Sequence, residues 1–119
     1  MEMQTAVTAA RAGLGPAAAL FRSLGDPARL AIVRRLAAGP ARVTDLTAEL
    51  GLAQSTVSKH LACLRDCGLV DARADGRASV HSLAAPAGPA LRELLAAAES
   101  LLAATGSKVA LCPVYGQPG

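Results

Sequence analysis

Residues 44–68, TDLTAELGLAQSTVSKHLACLRDCG, divide at Gly51 into two helical phrases. Before Gly51, Thr44 is positioned to cap a short helix whose Leu46 and Leu50 stand four residues apart. After it, a second helix starts at Gln54 and runs toward Gly68. On a wheel of about 100° per residue, its Val57, Leu61 and Leu64 gather within about 60° as a stripe to be buried. Ser55, Ser58, Lys59 and Ala62 take roughly the opposite arc, and Thr56, Cys63 and Cys67 a third. Helix, glycine turn, helix is the order of a helix-turn-helix. A second helix with small and polar residues outward suits entry into a DNA major groove, where Ser and Lys reach base edges or phosphates and Ala lets the backbone approach. Gln54, Ser55, Thr56, Ser58, Lys59 and His60 are the expected contacts on it.

Working outward toward the N-terminus, Gly13, Gly15 and Pro16 separate a first segment from a helix over Ala17–Leu24. Gly25, Asp26 and Pro27 then open a helix with an acidic N-cap and proline at its first position; it runs to about Ala38, carrying Leu30, Val33, Leu36 and Ala37 at helical spacing, and Gly39 and Pro40 stop it. Toward the C-terminus the period changes to two. Val70, Ala72 and Ala74 alternate with Asp71, Arg73 and Asp75, and after Gly76 come Ala78, Val80 and Ser82 alternating with Ser79 and His81. Asp75-Gly76 between such runs predicts a β-hairpin, with Arg73 and Arg77 near its tip suited to minor-groove or phosphate contact. The expected fold is therefore mainly α with a small β-hairpin, a winged helix-turn-helix. A last helix, about Pro89–Ala104, carries Leu91, Leu94, Leu95, Ala98, Leu101 and Leu102 at three and four spacing, a stripe that serves either as core or as a dimerisation face.

A chain of 119 residues is one domain, burying about 65% of its unfolded surface when folded. Its only aromatics are Phe21 and Tyr115, and much of its 52% hydrophobic content is Ala, Leu and Val. So thin a core predicts that burial is completed by a second copy, making a homodimer. Twelve Lys plus Arg against nine Asp plus Glu give a net charge of +3 and a pI near 9.1, compatible with a phosphate-backbone partner. No run of about 18 apolar residues and no signal pattern occurs, so no membrane partner and a cytoplasmic location are expected. Three cysteines in an intracellular chain favour thiols or metal ligands over a disulfide framework. The domain is placed at residues 1–106, and residues 107–119, rich in Pro and Gly and without helical periodicity from Lys108 onward, read as a flexible tail carrying Cys112.

Residues four apart on a helix hold their Cβ atoms about 5–6 Å apart, the span that two sulfurs on one thiophilic ion require, so Cys63 and Cys67 are placed to chelate. A thiolate from Cys112 completes a three-sulfur set favoured by lead or trivalent arsenic; cadmium or zinc would add a fourth ligand from water or a neighbour such as His60. The same pair also fits two other readings: small apolar packing, or a redox switch closing a disulfide between Cys63 and Cys67 or Cys112. A thiol enzyme is disfavoured, because no His, Asp or Asn is spaced beside a Cys as base, and no phosphate loop, cofactor motif or small organic substrate site shows.

The stretches Leu24-Gly25-Asp26-Pro27-Ala28-Arg29-Leu30, Gln54 to Leu61 and Leu64 to Val70, together with the wing, resemble the ArsR/SmtB family of metal-responsive repressors over roughly residues 17–104. Residues 61–70 are most similar to the family's cadmium/lead sensors, which implies Cys63, Cys67 and Cys112 as metal ligands, the last reaching in from the neighbouring subunit. The thiols of the arsenic and antimony sensors would fall at Arg42 and Thr44 and are missing, and with only His60 and His81 present the Asp/His sites of the zinc, nickel and cobalt sensors are missing too. The resemblance implies a dimer pairing through its terminal helices, bound to a palindromic DNA operator and released when Cd2+ or Pb2+ binds. As(III) sensing by the same thiols is the alternative, and a metal-independent DNA-binding protein is the remaining class.

Overall fold

The computed structural model describes residues 14–107 together with Leu111. Five helices and three strands follow in the order α1 (Leu14–Leu24), α2 (Pro27–Ala37), β1 (Ala41–Arg42), α3 (Val43–Leu50), α4 (Gln54–Asp66), β2 (Val70–Asp75), β3 (Ala78–Leu83) and α5 (Gly88–Ala104). The architecture is mainly helical with one small antiparallel sheet, in strand order β1-β3-β2.

Helix starts follow local chemistry, with two departures from expectation. Asp26 caps α2 as foreseen, its Oδ1 accepting the backbone N–H groups of Ala28 at 2.9 Å and Arg29 at 3.0 Å. Helix α1, by contrast, begins at Leu14, so Gly15 and Pro16 lie in its first turn instead of preceding it. Proline is tolerated there because first-turn N–H groups have no intrahelical acceptor to lose. Thr44 is the second residue of α3 and not its cap. The two-residue strand β1 feeds straight into that helix, so the extended junction residue is Arg42, whose N–H donates to Asp45 Oδ2 at 3.0 Å. Between α3 and α4, Gly51 adopts φ 68° and ψ 28°, the left-handed region that lets the chain reverse without a Cβ clash.

The hairpin has the expected place and a shifted turn. Asp75 pairs with Ala78, so the two-residue loop is Gly76-Arg77, with Gly76 at φ 65°. In β2 only Val70 is buried; Ala72 and Ala74 are exposed like the charged residues between them, because the ribbon projects beyond the helices and both its faces meet solvent. In β3 the deeper face is not that of Ala78, Val80 and Ser82, which are half-buried, but that of His81 and Leu83. β3 is the central strand and packs against α2 and α3, so its inward positions are closed from both sides.

The core lies where α2, α3 and α4 meet the base of the sheet. Ile32, Val33, Leu36, Leu46, Val57, Leu61 and Leu64 are each at most 1% exposed and pack with Val70, Leu83, Leu91 and Leu95. Each such side chain stabilises the fold by about 1.5–3 kcal/mol through burial. Leu111 belongs to the same cluster. No helix among the described residues is long and apolar enough to cross a membrane.

Candidate nucleic-acid interface and thiol site

Helix α4 presents its faces as its sequence spacing requires. Val57, Leu61 and Leu64 are buried beneath it, while Gln54, Ser55, Ser58 and Lys59 are exposed and Ala62 is half-buried. Arg73 on β2 and Arg77 in the hairpin turn are exposed as well, so helix and ribbon each offer polar or cationic side chains to solvent. Thr56 is half-buried. His60 stands apart from the others. It is turned toward the start of α2, where Arg29 Nη1 donates to its Nδ1 at 3.4 Å. A guanidinium only donates, so in neutral His60 the ring proton lies on Nε2, which is 3.8 Å from Asp26 Oδ1. The backbone N–H of Arg29, helped by that of Ala28 and by the charges of His60 and Arg29, holds the Asp26 carboxyl below the usual carboxylate range.

The thiols sit at the other end of α4. Cys63 is half-buried on the helix, and Cys67 is its exposed C-cap, with φ −80° and ψ −4°. The Cys67 N–H donates to Cys63 O at 3.1 Å, so helical geometry, and with it the four-residue spacing of the two side chains, persists through the cap. Cys67 Sγ lies 3.5 Å from Oγ of Ser23, a buried residue at the end of α1. The Ser23 carbonyl accepts from Arg29 Nε at 2.8 Å, and the Arg22 carbonyl from Arg29 Nη2 at 3.4 Å. One arginine thus ties the α1–α2 corner, which touches Cys67, to His60 on the same helix as Cys67. Sequence reasoning missed this corner: Asp26 was legible as a cap, but nothing in the order of residues announces that Ser23 and Cys67, 44 positions apart, touch.

As a donor set for a thiophilic ion, two thiols one turn apart with a hydroxyl beside them fit a soft metal and suit magnesium or calcium poorly. Among the described residues, no three His, Cys, Asp or Glu side chains converge. Cys112, the expected third ligand, lies outside the described residues.

The stripe expected for dimerisation divides in two. Leu91 and Leu95 belong to the protomer's own core, because α5 lays that edge against α2. Leu94, Ala98 and Leu102 are partly buried at the margin, and Leu101 is 66% exposed. Among the described residues the other large exposed apolar side chains are Leu14 and Phe21, both on α1.

A helix-turn-helix with a β-ribbon behind it is a winged-helix domain, and relatives agree. The model of the arsR family of bacterial regulatory proteins matches residues 26–72. The HTH-type transcriptional regulator CmtR of Mycobacterium tuberculosis is 48% identical over 67 residues, 56% of this chain and 57% of CmtR, so the chain spans little more than half the length of that relative. The NMR structure of the cadmium metal-sensor CMTR from the same organism superposes with a TM-score of 0.55 at 46% identity, covering 66% of this chain and 82% of that one. The crystal structure of M. tuberculosis Rv0081, an uncharacterised HTH-type regulator, gives a TM-score of 0.64 at 40% identity, over 71% of this chain and 83% of that one. The homodimeric winged helix-turn-helix DNA-binding domain Mb0332 of Mycobacterium bovis gives 0.64 at 28% identity, over 76% and 82%. This chain belongs to the ArsR family of bacterial regulatory proteins. The relatives named are transcriptional regulators, not enzymes.

Proposed function

We propose that the chain is a cytoplasmic, homodimeric transcriptional repressor that grips a palindromic operator through α4 and the hairpin, and lets go when a thiophilic ion, Cd2+ or Pb2+ first, binds Cys63, Cys67 and Cys112. The observation that carries this is the placement of two free thiols, one helical turn apart, at the end of the helix whose other end bears Gln54, Ser55, Ser58 and Lys59. Likeness to CMTR, a cadmium metal-sensor, supports the choice of ion. The burial of Leu111 in the core, one residue before Cys112 in the chain, supports a tail that is anchored near its thiol. Residues 1–106 then form the DNA-binding and dimerisation unit, and the segment from 107 onward supplies the third ligand. Two copies pair through Leu94, Ala98, Leu101 and Leu102 together with Leu14 and Phe21, covering the apolar surface that each protomer leaves exposed.

The ion supplies a positive centre that binds deprotonated sulfur; the rest is done by the chain. Cys67 is the C-cap of α4 and touches Ser23, so a shift of its side chain on ligation bears on the α1–α2 corner and, through Arg29, on His60. A coupling of about 1–3 kcal/mol would lower operator affinity roughly 5- to 150-fold. Fluorescence anisotropy of labelled operator, with Cd2+, Pb2+, Zn2+ and arsenite added in turn, tests this reading. Cadmium or lead should release the wild type and leave Cys63→Ser and Cys112→Ser bound; indifference of the wild type to every ion would overturn the sensor and leave a metal-independent DNA-binding protein. Arsenite acting alone, with a three-sulfur absorption spectrum, would favour the arsenic(III) reading.

A further inference from the structure

Beside the outward arc of α4 lies a cleft of about 330 Å3, walled by the start of α3, by α4 and by β3. Its polar wall is made of Arg42, Gln54, Ser58, Arg65, Ser79 and His81, and no carboxylate lines it. The two arginines differ in their engagements. Arg42 is anchored to Asp75 at the hairpin, Nη2 to Oδ2 being 2.5 Å, whereas the Arg65 guanidinium makes no ion pair or hydrogen bond with any described residue. His81 adds a second unmet demand: it is 5% exposed, and its Nδ1 is buried without a hydrogen-bond partner among the described residues.

The lining selects the ligand class. Cationic guanidinium, hydroxyl and amide donors around a small space suit a tetrahedral oxyanion and suit an apolar molecule poorly. Gln54 and Ser58 belong both to the cleft and to the exposed side of α4, so the mouth opens at the flank of the reading face. A duplex with α4 in its major groove runs a sugar-phosphate strand along that flank.

We propose that this cleft is a socket for one backbone phosphate of the operator, with Arg65 as its principal cation, Ser58 and Ser79 as hydroxyl donors, and Arg42 at its rim. This rests on the DNA-binding reading and is independent of the metal. The contact sets register and carries no sequence preference, since every base pair offers the same phosphate. It adds Arg65, on the side of α4 facing the ribbon, to residues that the outward arc alone would nominate.

The test is the salt dependence of binding to a labelled 30-base-pair duplex of random sequence, for the full chain between 50 and 200 mM KCl. Each phosphate neutralised contributes about 0.9 to the slope of log affinity against log salt. Arg65→Gln, which removes the socket from both protomers of the bound dimer, should shallow that slope by about 1.8, so that over this fourfold salt range it loses about 12-fold less affinity than the wild type, while binding more weakly at the low-salt end. Arg65→Lys should keep the slope, and Arg22→Gln, on α1, should match the wild type, separating a local contact from a change in net charge. An unaltered slope in Arg65→Gln overturns the proposal. So does saturation of the His81 ring resonances by low-millimolar inorganic phosphate alongside an unaltered slope, which would assign the cleft to a free oxyanion. A wild type that binds no duplex at all removes the DNA-binding reading, and this proposal with it.

Discussion

At the scale of single residues, burial and charge make opposite demands on neighbouring positions of α4. Leu61 is 1% exposed and touches the core from the middle of the helix, so Leu61→Ala should lower the unfolding free energy by about 2–5 kcal/mol in urea titration. Lys59, two residues earlier and exposed, should lose almost nothing on conversion to alanine, within about 0.5 kcal/mol, yet weaken duplex binding. His81 makes a different kind of prediction. Burial, with the nearby Arg65 charge adding to it, pushes its pKa below the ordinary histidine value of 6.5, so the unfolded chain takes up this proton more readily than the folded one. Stability should therefore be fully present above pH 6.5 and fall as the pH drops below it. Thermal melts at pH 7.5 and 5.5 should show that decline in the wild type and less of it in His81→Leu; equal declines would exonerate His81. Its burial was not legible in the sequence, where the alternation sets Ala78, Val80 and Ser82 against Ser79 and His81 and puts the apolar residues in the first set. What overrode the pattern is that β3 lies between two strands and beneath two helices, so the strand's interior is decided by its neighbours.

At the scale of elements, the glycine between α3 and α4 sets how the two helices meet. Gly51 sits at φ 68° with open space around the position of a Cβ, so Gly51→Ala introduces backbone strain without a collision. The cost should be about 1–2 kcal/mol in chemical denaturation, with the helix content by circular dichroism unchanged. That turn, the cap of α2 at Asp26 and the succession of helices and hairpin were all legible, because each depends on residues within a few positions of one another. The start of α3 was not, since the short strand β1, visible only through its pairing of Ala41 with His81 and Arg42 with Val80, moves the junction back to Arg42. The α5 stripe shows the same limit: spacing announces an apolar face but not that Leu91 and Leu95 face inward while Leu101 faces out.

At the scale of the whole molecule, the exposed Leu14, Phe21 and Leu101 are the surface a second copy would cover. Combining Phe21→Glu with Leu101→Glu should yield a monomer by sedimentation equilibrium while circular dichroism stays native, since neither residue is in the core. If a dimer presents two copies of α4 about 34 Å apart, one turn of DNA, that monomer should lose the advantage of a palindrome over a single half-site in anisotropy titrations. A double variant that remained dimeric would move the interface elsewhere.

What this chain owes to its linear order is what depends on near neighbours: helices cut by Gly51 and capped by Asp26, a ribbon turning at Gly76, and two thiols one turn apart on the helix with the polar outer face. Folding in three dimensions decided the rest, namely the meeting of Ser23 with Cys67, the strap from Arg29 to His60, the inward turn of His81 and the cleft that Arg65 helps to line. The division is physical. Capping, turn conformation and helical phase are set by interactions across about four residues, whereas these contacts join segments 31 and 44 positions apart, or three separate elements, and exist only once the core has brought them together.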